Sequence, residues 1–272
     1  MNYQELLDIF AQPSQIEQYE FEIIKSIAVY SSQPNKSTMF RDLVLRVLEH
    51  RARFTKTSDI IESLTRNAGL FPYLNQEKLD FKDSIAYEFH RPLNMEGTYV
   101  FHEKQNEIYH RLLSGESIIL SAPTSFGKSL IIDGMIATEK FDNIMVVVPT
   151  LALIDETRRR LSKFSDRYKI ITQLSQVSIK RNVFVFTQER VNAYDDLPNI
   201  DFFVIDEFYK INSLEGDNSR TVALNLAFQK LHEMGGQFYL LGPCIEKIPD
   251  EIPDKLGAKF IPTNYNTVIS EQ

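Results

Sequence analysis

Ser121-Ala122-Pro123-Thr124-Ser125-Phe126-Gly127-Lys128-Ser129 follows the apolar run Ile118-Ile119-Leu120 and opens a segment of helical periodicity from Leu130 to Ala137. Strand, tight loop and helix in that order are the context of a phosphate-binding loop. In such a loop the backbone N–H groups surround phosphate oxygens, and the helix N-terminus adds partial positive charge. Lys128 is placed to reach the β- and γ-phosphates of a nucleotide, and the Ser129 hydroxyl to hold Mg²⁺. Ala122 stands where the first glycine of the pattern usually sits. A Gly-Lys-Ser tripeptide also arises by chance in ordinary helix-capping loops, so the flanking strand and helix carry the reading.

A second stretch supports it. Phe202-Phe203-Val204-Ile205 is a continuous apolar run of the kind found in buried parallel strands, and it ends in Asp206-Glu207-Phe208-Tyr209. Two adjacent carboxylates at the end of a core strand are costly unless a bound ion and an attacking water give them a role. Asp206 would hold Mg²⁺ through its water shell, and Glu207 would orient or deprotonate the water. The bland alternative is that the pair caps the turn that follows.

Outward from these motifs the chain alternates. Strands are expected at 117–121, 144–148, 168–172, 183–187, 202–205, 237–241 and 258–262, with helices at 103–113, 129–139, 151–164 and 219–234. Such alternation predicts an α/β fold with a mainly parallel sheet and helices on both faces. Ligands in these sheets bind beyond the carboxyl ends of the strands, where both phosphate motifs fall. Residues 1–95 read instead as a small all-α domain: Ile23, Ile24, Ile27 and Ala28 recur at helical spacing, as do Leu43, Val44, Val47 and Leu48, then Ile60, Ile61 and Leu64. Asn67-Ala68-Gly69 is a helix stop, and Ser37 is the expected N-cap of the helix after Pro34-Asn35-Lys36. Arg91 to Gly97 reads as a linker, residues 98–265 as the second domain, and 266–272 as a tail or the start of a linker.

Composition bounds the function. A hydrophobic fraction of 43% and a charged fraction of 25% are those of an ordinary globular protein. No apolar run is long enough to span a bilayer, and the N-terminus lacks the basic start and apolar core of a secretory signal, so the cytoplasm is the expected compartment. Cys244 is the single cysteine, which excludes an internal disulfide and a cysteine zinc site. His50, His90, His102 and His110 are scattered and read as surface or packing residues. The net charge of −7 does not advertise nucleic-acid binding, although Arg158-Arg159-Arg160 and Lys180-Arg181 are local basic clusters.

Taken together, the ordered motifs over about 98–265 resemble the first RecA-like domain of a superfamily 2 helicase of the DEAD/DEAH-box or Ski-type branches. Residues 121–129 are similar to motif I, which in these branches often carries Ala for the first glycine. Gln105, with Phe101 before it, sits where the family places an adenine-reading glutamine. Val148-Pro149-Thr150-Leu151-Ala152-Leu153 resembles motif Ia, Val185-Phe186-Thr187-Gln188-Glu189-Arg190 motif Ib, and Leu240-Leu241-Gly242-Pro243 falls where motif III should follow. The resemblance implies ATP and Mg²⁺ as cofactors. Gln105, Phe101, Thr124, Ser125, Phe126, Gly127, Lys128 and Ser129 would bind the nucleotide, Ser129 and Asp206 the metal. Lys128, Asp206 and Glu207 would act in hydrolysis, and Thr150, Thr187 and Arg190 would meet single-stranded DNA or RNA. Tyr209 replaces the family's His or Asp, Gln188 the proline of motif Ib, and Gly242-Pro243 the hydroxyls of motif III. These departures bear on coupling more than on nucleotide binding.

The leading expectation is an ATP-hydrolysing motor domain that works with a second RecA-like domain in cis or trans, the sequence given being an N-terminal part with weak or no activity alone. Its N-terminal helices would dock a protein partner, and the box with those helices looks similar to helicase subunits of bacterial phage-defence systems. The alternative is a nucleotide-dependent interaction or scaffold module without motor activity. A small-molecule kinase fits less well, because an Asp-Glu pair suits water as the nucleophile.

Overall fold

The structure, a computed structural model, describes residues 1–212, 218–243, 245, 247–249 and 251–269. Cys244 and the last three residues of the expected tail lie outside these. The chain forms two compact units, one made of Met1–Pro92, Glu96–Glu107 and the chain's end from Asn264, the other of Leu93–Met95 and Ile108–Thr263.

The first unit is helical. Helices α1 (Tyr3–Phe10), α2 (Glu20–Ser31), α3 (Ser37–Glu49), α4 (Ser58–Asn67) and α5 (Phe81–Phe89) are joined by short 3₁₀ turns. The residues that recur at helical spacing are those that bury: Ile23, Ile24, Ile27, Leu43, Val44, Val47, Ile61 and Leu64 form one core with Leu6, Phe10 and Phe54. The carboxylate of Glu20 is buried in this unit. Its Oε1 accepts hydrogen bonds from the Lys56 and Thr57 backbone N–H groups at 2.8 and 2.9 Å and from the Thr57 hydroxyl at 2.8 Å, which caps the start of α4. Gly69 at φ +72° follows the end of α4. Ser37 is not an N-cap. The 3₁₀ turn Pro34–Lys36 runs directly into α3, so Ser37 is already its first helical residue and no side chain caps it.

The second unit is the α/β domain. Helix α6 (Glu103–Leu113), which belongs to this unit from Ile108 onward, leads into β1 (Ser117–Ser121), followed by α7 (Lys128–Ala137), β2 (Asn143–Val147), α8 (Leu151–Leu161), β3 (Lys169–Ile171), β4 (Asn182–Phe186), α9 (Gln188–Ala193), β5 (Phe202–Ile205), α10 (Asn218–Glu233), β6 (Gln237–Gly242), α11 (Glu251–Leu256) and β7 (Ala258–Pro262). The seven strands form one parallel sheet in the order β3-β4-β2-β5-β6-β1-β7.

Strand alternation divides the core in two. Ile119, Met145, Val147, Phe184, Phe186, Phe203, Ile205, Phe238 and Leu240 pack with Val191 of α9 and with Leu224, Ala227 and Leu231 of α10. Their neighbours Ile118, Leu120, Ile144, Val146, Val183, Val185, Val204, Tyr239 and Leu241 are equally buried and point to the other face. Right-handed crossovers from β1 to β2 and from β2 to β3 put α7 and α8 on that face. Those two helices are pinned together by the buried Asp133 of α7, which pairs with Arg160 of α8 and with Lys163 at 2.8 Å. With β6 between them, β1 and β5 deliver their following loops to the same edge of the sheet.

Candidate functional site

After β1 the chain makes a 3₁₀ turn over Thr124–Phe126, closed by the Phe126 N–H donating to the Pro123 carbonyl at 3.1 Å. Phe126 is fully buried and anchors the loop from below. Gly127 then adopts φ +75°, ψ +38°, a left-handed conformation that a side chain disfavours, and α7 starts at Lys128 with no side-chain cap. A helix N-terminus left uncapped behind a glycine turn is a ready anion site. The Lys128 ammonium folds back over the loop and donates to the carbonyls of Ala122 and Pro123, both at 3.0 Å. Thr124 and Ser129 are exposed, and Ser125 is half-buried.

Two strands away, β5 ends at Ile205, but the ladder runs one residue further, because the Asp206 N–H donates to the Val147 carbonyl at 3.0 Å. Asp206 is half-buried, and desolvation raises its carboxyl above the ordinary value; the neighbouring Glu207 charge pushes the same way, while the Glu207 N–H and the Lys128 and Lys210 charges oppose it. The Glu207 N–H donates to Asp206 Oδ1 at 3.0 Å. Glu207 itself sits at φ +56°, an uncommon conformation for a non-glycine residue and the kind of local strain that clusters at functional sites. Its carboxylate is ion-paired with Lys210, one turn along the 3₁₀ segment Phe208–Asn212. Tyr209 is exposed.

Sequence reading missed two residues here. Lys210 was detectable as a cation three residues after Glu207. Tyr239 was detectable only as the one polar head in the run Phe238-Tyr239-Leu240-Leu241. It is 0% exposed and its hydroxyl has no hydrogen-bond partner among the described residues. Burial pushes its phenol well above the ordinary value, and the Asp206 carboxylate adds to this.

The structure distributes the remaining candidates. Thr150, exposed, caps α8 by accepting from the Leu153 N–H at 3.3 Å. Thr187 precedes α9 but is only 4% exposed. Arg190 donates to the Thr172 carbonyl and so ties α9 to the loop after β3. Of the basic cluster on α8, Arg160 is committed to Asp133, and Arg158 lies 3.7 Å from Asp155. Gln105 and Phe101 belong to the helical unit. Phe101 is fully buried; Gln105 is 3% exposed and its Oε1 accepts from the His102 N–H at 2.8 Å. Among the described residues no cluster of His, Cys, Asp and Glu is arranged to hold a metal ion by direct ligation, and no helix is long and apolar enough to cross a membrane.

The family described as Anti-bacteriophage protein B N-terminal domain matches residues 1–84. Anti-bacteriophage protein B of Escherichia coli (strain K12) is 41% identical over 91% of this chain, which spans 35% of that protein. Helicase POLQ-like of Caenorhabditis elegans is 30% identical over 58% of this chain and 19% of its own length. Among solved structures, the DUF1998 helicase MrfA bound to DNA is similar over 65% of this chain and 29% of that one, with a TM-score of 0.49 and 17% identity. The DEAD/DEAH box helicase family matches residues 102–237, half of the chain. The chain belongs to the DEAD/DEAH box helicase family.

Proposed function

We propose that this chain is the ATP-binding first motor domain of a nucleic-acid helicase or translocase, with Lys128, Asp206 and Glu207 acting on ATP. One observation supports the reading above the others. The uncapped, glycine-led start of α7 and the Asp206-Glu207 pair emerge at the same edge of one parallel sheet, with Lys128 close enough to Asp206 to favour its charged form. Phosphate oxygens would accept from the loop amides, and Lys128 would turn from the Ala122 and Pro123 carbonyls to the phosphates. A half-buried carboxylate at Asp206 suits a cation held through its water shell, with the Ser129 hydroxyl as the second protein group. Mg²⁺ when bound would neutralise phosphate charge. Glu207 is the group that orients or deprotonates the attacking water, and Lys210 is its counter-ion.

Gln105 is proposed to read adenine through its amide, which offers both a donor and an acceptor. Phe101, fully buried, is proposed to belong to the same nucleotide site. Strand contact is assigned to the C-terminal ends of β2 and β4, with the exposed Thr150 offering a hydroxyl while Thr187 and Arg190 shape the loops around it. Coupling to strand movement belongs to a full-length protein that carries a second RecA-like domain. The name of the Escherichia coli relative, and the match of residues 1–84, support a role in defence against phage.

A nucleotide-dependent interaction module is the second reading. The Glu207–Lys210 ion pair favours it, because a carboxylate held by a cation is a weaker base. ATP turnover measured with and without single-stranded DNA or RNA separates the two: a motor domain responds to strand, whereas an interaction module binds ATP and ignores it.

A further inference from the structure

Tyr239 stands in β6 beside Ile118 of β1 and Val204 of β5 in the sheet register. Because the β5 ladder continues through the Asp206 N–H, Val204, Asp206 and Tyr239 all point to the same face of the sheet. Asp206 is therefore the diagonal neighbour of Tyr239 on the adjacent strand, within the reach of an aromatic side chain that leans along its strand. The phenol is 0% exposed and its hydroxyl has no partner among the described residues. Native proteins rarely leave such a group unsatisfied, since burying it unpaired forfeits its bonds to water. A phenylalanine would fill the same space among Ile118, Val204 and Leu241 without that cost. The hydroxyl is thus an unused donor beneath the one carboxylate assigned to the cation.

We propose that Tyr239 is a positioning residue for Asp206, its hydroxyl donating to the Asp206 carboxylate, directly or through one water of the cation's shell, once nucleotide and Mg²⁺ are bound. The inference rests on the reading of Asp206 as the cation-holding carboxylate. Outer-sphere partners of this kind fix the orientation of a ligating oxygen, and their loss weakens metal binding about 10- to 100-fold.

The test is a titration of Mg²⁺ into the chain with a fluorescent, non-hydrolysed ATP analogue, read as nucleotide affinity. It is run for the parent, Tyr239→Phe, Asp206→Asn and the double variant, with thermal unfolding of each unliganded chain alongside. Tyr239→Phe should unfold no lower than the parent and bind nucleotide equally well in EDTA. Its Mg²⁺ midpoint should rise at least about tenfold. In the Asp206→Asn background the same change should have no further effect. An unchanged midpoint in Tyr239→Phe, with a shifted one in Asp206→Asn, overturns the role of Tyr239 and leaves Asp206 standing. An unchanged midpoint in Asp206→Asn overturns the assignment of Asp206, and the inference with it. A shift of equal size in both backgrounds, or a lower unfolding temperature for free Tyr239→Phe, shows that the hydroxyl serves something other than Asp206 and overturns the proposal.

Discussion

Phe208 packs directly against Gly242: a β-carbon on that glycine would stand 3.1 Å from Phe208 Cε1 and 3.0 Å from Ile245 Cδ1. Phe208 follows Glu207, and Gly242 ends β6, so the carboxylate motif and the motif III position meet through an apolar contact. A serine in place of Gly242 does not fit this arrangement unless the ring or the Ile245 side chain gives way. Gly242→Ser should destabilise the domain by about 1–3 kcal/mol through overpacking. Denaturant unfolding measures it, and an unchanged midpoint would mean that the ring is not fixed there.

Glu207 and Lys210 should respond in opposite directions. Glu207→Gln keeps the shape and removes the carboxylate proposed as the base, so hydrolysis should fall by about 100-fold or more while nucleotide still binds. Lys210→Ala removes the counter-ion of the carboxylate and should raise turnover a few-fold. Phosphate release by both variants checks the pair. A loss of activity on removing Lys210 would make that lysine part of the catalytic machinery rather than a brake on it.

His102 carries a pH dependence. Burial, with smaller contributions from the Arg41 and His90 charges, lowers its imidazole from 6.5 to about 4. The unfolded chain therefore takes up the proton first as pH falls. The stability is fully present above about pH 6.5 and is lost as the pH drops towards 4, at about 1.4 kcal/mol per unit. Between pH 7 and pH 5 the parent should lose about 2 kcal/mol more than His102→Gln in urea unfolding. Parallel losses would show that the imidazole protonates as easily folded as unfolded.

Glu20 should matter to the helical unit. Glu20→Ala leaves two backbone N–H groups and the Thr57 hydroxyl without their acceptor, at a cost of about 3 kcal/mol. Glu20→Gln, which keeps one oxygen, should cost less. Equal stability of all three chains in chemical denaturation would remove the cap from the account of this unit.

The sheet was legible because apolar runs mark most of its strands, so β1, β5 and β7 fall where the sequence puts them. Strands β2 and β4 each begin one residue earlier than expected, at Asn143 and Asn182, whose side chains bond across the ladder at 2.7 Å. Polarity hid them. The edge strand β3 stops short at Ile171 because the Thr172 N–H is taken by the Gln176 side chain at 2.8 Å. The phosphate loop announced itself through a glycine needed at φ +75°. Placements across many residues left no local trace: Arg160 against Asp133, Tyr239 on the strand beside Asp206, and Arg190 on the Thr172 carbonyl are set by topology, which a one-dimensional pattern does not carry.

The central claim is that the loop before α7 binds the phosphates of ATP through Lys128. Calorimetric titration of a non-hydrolysed ATP analogue with Mg²⁺ into the parent and Lys128→Ala tests it most directly, with unfolding midpoints to confirm that both are folded. The Lys128 ammonium donates to loop carbonyls at 3.0 Å and the side chain is not part of the buried core, so the variant should stay folded. Its affinity should fall about 10- to 100-fold, the worth of a lost charge-assisted contact. Equal affinity in the two folded chains would contradict the assignment.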